Sequence, residues 1–394
     1  MSFAALYALT AGHLLKYPSV APYYVYLAES FLQGHTYLVT MPPTAYDLMR
    51  FGGQLYVPGG PLPTLAFIPF VLLRGTPVGF PDAAVTCVWG ALNVTLVYVL
   101  LGRLGRWAPI TRAARLALTV VFGLGTPFWY VTALGNVWST AHVCAVTFVC
   151  LYAIEVLGQN RPLLAGLWLG LAGLARPTCW FGFPFALVLL LAESWPQRNL
   201  RQMAVKSAAF GAALAACVGV ALLYNAARFG SAFDFGYAYV DGAPALVADQ
   251  ALYGSFNLRF APHNLRTMLL GLPLRAERFP WLVPDATGMS IFIVTPLLVY
   301  LFKSIRRQPL VAAAWLAVLS VSLPLALYHN TGAHQFGYRY ILDWLPIGLV
   351  LVSTGMDGQM NRWKALLVGA SVLVNLAGVL WIYPNATLFG EPWH

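Results

Sequence analysis

Charged side chains are scarce in this chain, so those that lie outside its apolar runs are the first candidates for chemistry. Its 394 residues include 23 Lys and Arg and 13 Asp and Glu. A carboxylate such as Asp47 or Glu29 can accept a proton as a general base. An arginine such as Arg339, Arg228 or Arg176 matches the geometry of a phosphate or carboxylate group. These residue types allow proton transfer and anion binding, and their spacing alone does not choose between the two.

Two further spacings suggest specific contacts. Arg339 and Asp343 stand at i, i+4, which predicts an ion pair on one face of an α-helix. His329 and His334 lie in one loop, but two histidines rarely form a metal site without a third ligand. We therefore predict no definite cofactor, with a divalent metal bound with a carboxylate as an open alternative. The sequence contains no Walker A, dinucleotide-binding, HExxH or CxxC motif.

The composition indicates the class of protein that must position these residues. The chain is 59% hydrophobic and 9% charged, with a mean hydropathy of +0.70, whereas soluble proteins average about 25% charged residues. A soluble domain, a disordered chain and a disulfide scaffold are therefore excluded. The apolar runs are continuous rather than alternating, which favours helices over a membrane β-barrel.

We predict an all-α, polytopic transmembrane bundle in which about eleven apolar runs cross the membrane. The predicted spans are 2–15, 82–102, 113–127, 137–157, 162–176, 177–194, 207–224, 288–302, 309–328, 339–356 and 364–383. All of them belong to one domain, 1–394. Within it we distinguish a seven-span module at 1–224, a large loop at 225–287 and the C-terminal spans at 288–394.

The connectors between these spans predict the orientation. One set is short and basic, and the positive-inside rule assigns it to the cytoplasm. The other set is longer and aromatic, at 16–81, 128–136, 225–287 and 329–338, and is expected on the outer face. The N-terminus then lies inside and the C-terminus outside. The net charge of +10 is a topology signal on this interpretation, and it does not indicate nucleic acid as a partner.

Two segments of the first outer loop are predicted to lie at the membrane surface. Val20, Tyr24, Leu27 and Phe31 recur at helical spacing, as in a helix that lies flat on the membrane. The apolar segment 61–74 is too short to cross and is predicted to be an interfacial or re-entrant helix. Most of the candidate residues named above therefore fall on, or next to, the outer loops.

The order of these elements and several local strings resemble the GT-C glycosyltransferases, in particular bacterial members related to protein O-mannosyltransferases and aminoarabinose transferases. The strings are YYVYLAESFLQGH, RPLLAGLWLGLAGLARPT, YNAARFGSAFDFGY and HNTGAHQFGYRYILD. The resemblance covers most of the chain. It implies transfer of a sugar from a polyprenyl-phosphate carrier to an acceptor glycan, lipid or protein on the outer face of a bacterial plasma membrane, with membrane lipid as a further partner.

The resemblance also implies roles for the candidate residues. Asp47 is our first choice for the general base and Glu29 the second, against a turn-forming role for Asp47 and a water-facing Glu29. Relatives carry an acidic residue before the surface helix, but the matching stretch 18–24 has none, so loss of catalysis is an alternative. Arg339, Arg228 and Arg176 are expected to bind the donor phosphate, against ion pairing or snorkelling. The remaining residues expected to line the substrate cavity are Asn136, His142, Tyr56, Tyr237, Asn330, His334, Gln335 and Asp343.

Two other functions compete with an inverting glycosyltransferase. A polytopic transporter can also be built from broken helices with isolated charges, but no internal repeat is found and the polar residues gather on one face. A non-catalytic partner that holds a lipid-linked glycan would account for the missing early acidic residue.

Overall fold

A computed structural model describes residues 2–194, 199–242, 244–278, 281–305, 308–332 and 334–382 of the chain. These residues are mostly helical. The α-helices are α1 Phe3–Ala11, α2 Tyr23–Leu32, α3 Ile68–Arg74, α4 Asp82–Leu104, α5 Arg112–Leu124, α6 Phe128–Leu134, α7 Val137–Leu157, α8 Pro162–Ala175, α9 Pro184–Ser194, α10 Leu200–Phe229, α11 Pro244–Tyr253, α12 Ala261–Leu270, α13 Ile291–Val294, α14 Pro309–Leu327, α15 Leu345–Gly355 and α16 Arg362–Ile382. The 3-10 helices are Gly12–Leu15, Leu62–Ala66, Pro177–Gly182, Tyr237–Tyr239, Leu258–Phe260, Pro296–Ser304 and Arg339–Asp343.

Two small antiparallel hairpins belong to the long loops. In the first, β1 (Met49–Phe51) pairs with β2 (Gln54–Tyr56), so that Met49 lies opposite Tyr56. The same Met49 forms an antiparallel bridge with Val240, which joins the first long loop to the second. The other hairpin pairs β3 (Leu274–Arg275) with β4 (Leu282–Val283).

Five helices of the described residues are long and apolar enough to cross a membrane: α4, α7, α10, α14 and α16. A sixth span results if α5 and α6, which meet at a 47° bend, are counted as one. Four shorter apolar helices cover Phe3–Leu15, Pro162–Ala175, Pro177–Glu193 and Leu345–Gly355. The structure is therefore a helix bundle with several helices able to span a membrane. The count of eleven and the orientation stay predictions.

Prolines explain the main departures from the expected spans. The run 288–302 is not one helix, because α13 stops at Val294 and a 3-10 helix starts at Pro296. The run 339–356 is divided between a 3-10 helix and α15, whose second residue is Pro346. Proline lacks the N–H that a continuing helix would need. In addition, part of the connector 128–136 is helical, as α6.

The burial of the helices follows their place in the bundle. In the most apolar 18-residue stretch of each helix, 78% of α7 is buried inside the protein, against 17% of α10 and 22% of α16. Leu223 of α10 and Leu373 of α16 are 72% and 67% exposed. A helix that is apolar all round yet exposed needs an apolar solvent, so α10 and α16 have the composition of lipid-facing helices.

The first long loop differs from expectation in its helix. α2 is not a flat surface helix with one buried stripe, because Tyr23, Tyr24, Val25, Tyr26 and Leu27 are all at most 2% exposed. Protein packs around these consecutive positions, which cover every face of a helix. Val20, assigned to the stripe, precedes the helix and is 65% exposed. The segment 61–74 forms only short helices, and its interfacial position stays a prediction.

Candidate functional site

The long loops and several helix ends enclose a cavity of about 1030 Å³. Its lining includes the C-terminal ends of α8 and α14, the start of the 3-10 helix Arg339–Asp343 and the N-terminus of α7. Its polar lining includes Asp47, Asn136, Arg176, Tyr237, Gln250, His329, Asn330, His334, Arg339 and Tyr340. Six predicted site residues beyond Asp47 are thus on its wall: Arg176, Arg339, Asn136, Tyr237, Asn330 and His334.

Asp47 is held at the cavity wall by contacts between the two long loops. Its N–H donates to the carbonyl of Asp241 at 3.0 Å, and the N–H of Asp241 donates to the carbonyl of Leu48 at 3.1 Å. Asp241 in turn accepts a bond from Nε of Arg50 at 3.0 Å. The backbone of Asp47 has φ +60°, a left-handed conformation that Asp tolerates better than most residues.

The surroundings of Asp47 favour its protonated form. Burial raises the pKa of the carboxyl to about 6, the cationic Arg339 opposes this rise, and the anionic Asp241 adds to it. A carboxylate with a pKa near neutrality is well matched to general-base chemistry, because it is both ionised and basic at working pH. Asp47 is therefore suited to take a proton from a bound hydroxyl group.

Arg176 lies where α8 ends, and the following Pro177 disfavours helical backbone at this position. Its Nε donates to Oδ1 of Asp343 at 2.6 Å, with side-chain exposures of 17% and 0%. Thr178 donates its hydroxyl to the other carboxylate oxygen at 2.5 Å. Asp343 thus fixes one edge of a guanidinium that reaches the cavity.

The predicted ion pair between Arg339 and Asp343 is wrong. These residues belong to a 3-10 helix, where about three residues make a turn, so i and i+4 do not share a face as they do in an α-helix. Arg339 instead donates from Nη1 to the carbonyl of Gly332 at 2.9 Å. The guanidinium carbons of Arg339 and Arg176 each lie 5.3 Å from the ring centroid of Tyr340, which places two cations around one aromatic ring.

Three of the residues expected to line the cavity lie behind its wall. His142 is fully buried, with Nδ1 3.1 Å from Oδ1 of Asp343. Asp343 itself is 2% exposed and is linked to the cavity through Arg176 and Thr178, which line it. Gln335 is fully buried: its Nε2 donates to the carbonyls of Thr287 and Thr331, and its Oε1 accepts from the N–H of Arg339. These residues support the wall and do not line it.

Three other predicted site residues are not brought to this cavity. Arg228 is 4% exposed and lines a separate, small compartment. Tyr56 packs on Phe229 and Tyr37, with ring centroids 5.3 and 6.3 Å away. Glu29 lies on α2, outside the cavity lining. Of the two candidate bases, only Asp47 therefore faces the space in which a substrate could bind.

Three aromatic residues, Tyr237, Phe256 and Tyr328, form one wall of the cavity, which we call the aromatic wall. The sequence analysis named only Tyr237 among them. The ring of Tyr237 lies 6.1 Å from Phe256 and 5.8 Å from Tyr328, which are 5.4 Å from each other. His329 continues this surface, 4.4 Å from Tyr328. These residues are spread over the second long loop and the end of α14, so no local sequence pattern connects them.

Across the residues that the structure describes, no three His, Cys, Asp or Glu side chains form a group that could hold a metal ion. His329 and His334 both reach the cavity, but no third ligand of these types joins them there. A divalent metal therefore stays an untested alternative.

Comparison with known proteins finds similarity only at the level of structure. No protein-family model matches the chain, and no curated protein matches it. The apo oligosaccharyltransferase of Archaeoglobus fulgidus aligns with all of the chain at a TM-score of 0.50 and 12% identity, over 56% of its own length. The same enzyme tethered to an acceptor peptide with the NVT sequon aligns with all of the chain at a TM-score of 0.51 and 12% identity, over 55% of its own length. The enzyme in complex with an inhibitory peptide and a dolichol-phosphate has a TM-score of 0.50 and 12% identity, over 56% of its own length.

The present chain thus spans little more than half the length of these structures. At 12% identity the likeness concerns the fold. It agrees with the resemblance to GT-C enzymes that the sequence indicated, and with the apolar helices of an integral membrane protein. The chain therefore shares its fold with these archaeal oligosaccharyltransferase structures.

Proposed function

We propose that this protein is a glycosyltransferase that moves a sugar from a polyprenyl-phosphate carrier to a hydroxyl group of an envelope acceptor. The observation that carries the proposal is the shared cavity of Asp47, Arg176 and Arg339. One partly buried carboxylate with a raised pKa and two guanidinium groups on the same wall supply a base and an anion site. Both are needed for this transfer.

Arg176 and Arg339 are suited to the donor phosphate. Arg176 uses Nε for Asp343, and Arg339 uses Nη1 for the carbonyl of Gly332, so the protein orients each guanidinium at the cavity wall. Arginine binds phosphate oxygens in a bidentate manner. A dolichol-phosphate is bound in one of the structures that share the fold, which supports a lipid phosphate as the donor group here.

The aromatic wall of Tyr237, Phe256 and Tyr328 is suited to the acceptor side of the reaction. Aromatic rings offer a rigid, apolar surface, and the tyrosine hydroxyls and His329 add polar edges. Sugar rings have apolar faces and polar rims that fit such a surface. An acceptor hydroxyl placed between this wall and Asp47 would lie beside the base.

The reaction then needs a single displacement. The acceptor oxygen forms a bond to the anomeric carbon of the sugar while the bond from that carbon to the phosphate oxygen breaks. Asp47 takes the proton of the acceptor hydroxyl, and the electron pair of the broken bond stays on the lipid phosphate between the two arginines. One displacement without a covalent intermediate inverts the anomeric carbon.

The predicted topology places this cavity on the outer face of a bacterial plasma membrane. The N-terminus of α7 and the ends of α8 and α14, which border the cavity, all lie at predicted outer ends of spans. A carrier lipid would therefore reach the site from the outer leaflet, and acceptors would come from the cell envelope.

The proposal is tested with purified protein in liposomes that contain radiolabelled polyprenyl-phosphate hexoses and pentoses together with an envelope extract as acceptor. A glycosyltransferase releases free polyprenyl phosphate and labels the extract. A non-catalytic partner binds the labelled carrier without releasing the lipid phosphate, and a transporter moves label into the liposomes without labelling the acceptor. Either of these two results would replace the proposal.

A further inference from the structure

A second, smaller compartment lies beside the substrate cavity and has no part in the proposed reaction. It measures about 20 Å³ and is bordered by the Gly59–Pro61 segment, the end of α8 and the last turns of α10. Gly59, Pro177 and Tyr237 border both this compartment and the large cavity. The compartment has room for one water-sized particle and not for a phosphate group.

Arg228 dominates the charge of this compartment. It is 4% exposed, and across the described residues no carboxylate lies within ion-pairing distance of it, although such pairs are found for Arg50, Arg161 and Arg176. Its Nη1 and Nη2 donate to the carbonyl of Val57 at 3.2 Å and to Oδ1 of Asn225 at 2.7 Å. Both acceptors are neutral, so the positive charge is not balanced.

Several hydrogen-bond donors around Arg228 have no acceptor, and they indicate what kind of group could balance its positive charge. The Nε of Arg228 is buried without a hydrogen-bond partner, and so is the hydroxyl of Tyr224, over whose ring the guanidinium lies at 4.2 Å. The hydroxyl of Tyr24, a residue 2% exposed, is also buried without a partner and lies within electrostatic range of Arg228. Buried polar groups are nearly always satisfied. The unused Nε of the cation and the unused hydroxyl of Tyr224 in the same compartment therefore indicate a missing acceptor, and the Tyr24 hydroxyl at the wall of the large cavity adds a third unused donor nearby.

The nature of that acceptor follows from size and charge. A buried cation without a counter-charge is strongly unfavourable, and the location of Arg228 in the last turn of α10 compensates only weakly through the helix dipole. Water would satisfy one or two donors without balancing the charge. We propose that the compartment binds a small monovalent anion of halide size, held by Nε of Arg228 and the hydroxyl of Tyr224.

An anion here would stabilise one wall of the substrate cavity. Arg228 holds the carbonyl of Val57, and the residues that follow, Pro58 and Gly59, line the large cavity. This part of the chain is tightly fitted, since a Cβ at Gly60 would lie 1.8 Å from the carbonyl oxygen of Leu174. The binding of chloride would therefore steady the Val57–Gly60 segment, α8 and α10 against one another.

The experiment compares the thermal unfolding of the purified full chain in sodium chloride and in sodium gluconate at equal ionic strength. The wild type is expected to unfold several degrees higher in chloride, with a shift that grows with the logarithm of the chloride concentration, as for any ligand that binds the folded state. Tyr224→Phe and Arg228→Met are each expected to lose this dependence. Arg259→Met is the matched control, because exposed Arg259 also lies over a tyrosine ring, at 4.3 Å from Tyr253.

Bromide locates the site directly. A crystal grown in sodium bromide is expected to show an anomalous peak within hydrogen-bond distance of Arg228 Nε and Tyr224 Oη. Equal unfolding temperatures in the two salts for the wild type, or a water at this position without anomalous signal, would overturn the proposal. Tyr224→Phe removes only a hydroxyl group and is expected to fold, so the test stands even if Arg228→Met does not fold.

Discussion

The two ends of the helix bundle use their charged residues in different ways. At the cavity end, Arg176 pairs with Asp343 across 167 residues of sequence, and both belong to segments where a helix is broken. At the opposite end, Arg161 pairs with Glu155 only six residues away. There Nζ of Lys364 donates to the carbonyls of Met356 and Gln359 at 2.5 and 2.8 Å, just after α15 ends.

Charged groups at one end of the bundle therefore make local contacts near helix ends, whereas those at the other end line a cavity. Lys364 donates to two carbonyl groups of the turn between α15 and α16, and it does not line the cavity. Arg176 and Arg339 meet around Tyr340 and face a large cavity. We therefore expect changes at the cavity end to affect transfer and changes at the opposite end to affect only stability.

The largest effect is expected at Asp47. Asp47→Asn removes the base without changing the size of the side chain, so sugar transfer should fall by about 100-fold or more, the usual contribution of a general base. Glu29→Gln should leave the rate unchanged, because Glu29 is not on the cavity wall. Transfer from a labelled lipid carrier in liposomes measures both variants.

Asp249→Asn is the control for this comparison, since Asp249 is exposed and does not line the cavity. If Glu29→Gln abolished transfer while Asp47→Asn kept it, the base would be Glu29, and the cavity described here would not be the reacting site.

A smaller but still large effect is expected at Asp343. Asp343→Asn leaves the largely buried guanidinium of Arg176, whose side chain is 17% exposed, without its counter-charge, and breaking a buried pair costs about 3–5 kcal/mol of unfolding free energy. Chemical denaturation in detergent micelles measures the loss. The double variant Asp343→Asn with Arg176→Gln should recover part of it, because the unpaired charge is gone. Strictly additive losses would show that the two side chains are not coupled.

At the opposite end, Lys364→Met should reduce stability by about 1.5–3 kcal/mol, the range for hydrogen bonds made by a charged group. Transfer per folded molecule should not change, because Lys364 has no contact with the cavity. Arg362→Met, at an exposed position of the same helix, is the control and should alter neither quantity. A lower transfer rate in folded Lys364→Met would contradict the division between the two ends.

The smallest expected effect is a change of pH dependence. Arg339 lowers the pKa of Asp47 against the effect of burial, so Arg339→Gln should move the midpoint of the pH–rate profile to higher pH. The conservative variant Arg339→Lys keeps the charge and should keep the midpoint near that of the wild type, whatever it does to donor binding. An unchanged midpoint in Arg339→Gln would mean that this cation does not act on Asp47.

The sequence allowed the class of fold to be predicted, and it pointed to several residues that the structure places on one cavity wall. Hydropathy identified a helical membrane protein, and assigning the connectors to two faces brought Asp47, Arg176 and Arg339 to the same side. The structure places all three on the wall of one cavity, and the assignment of the connectors to two faces stays a prediction. The partner of Asp343 could not be found in this way, because helical spacing favours near neighbours and Arg176 is distant in sequence.

Packing between distant segments explains the other features that the sequence did not predict. The burial of α2 on every face depends on segments around it, and the stripe of Tyr24, Leu27 and Phe31 is compatible with either a membrane surface or a protein interior. The aromatic wall combines Tyr237, Phe256 and Tyr328 from different loops. Residues of this kind are recognised only when the chain is folded.

The pH–rate profile of transfer tests the central claim most directly. If Asp47 is the base, the rate must rise as its carboxyl loses a proton, with a midpoint near its raised pKa of about 6 and a plateau above it. Asp47→Asn should give a low rate without this rise, while Asp249→Asn should reproduce the wild-type curve. A wild-type rate that does not change between about pH 5 and pH 7.5, where an ordinary carboxyl group is already ionised, would contradict the account. So would an Asp47→Asn variant that keeps the wild-type profile.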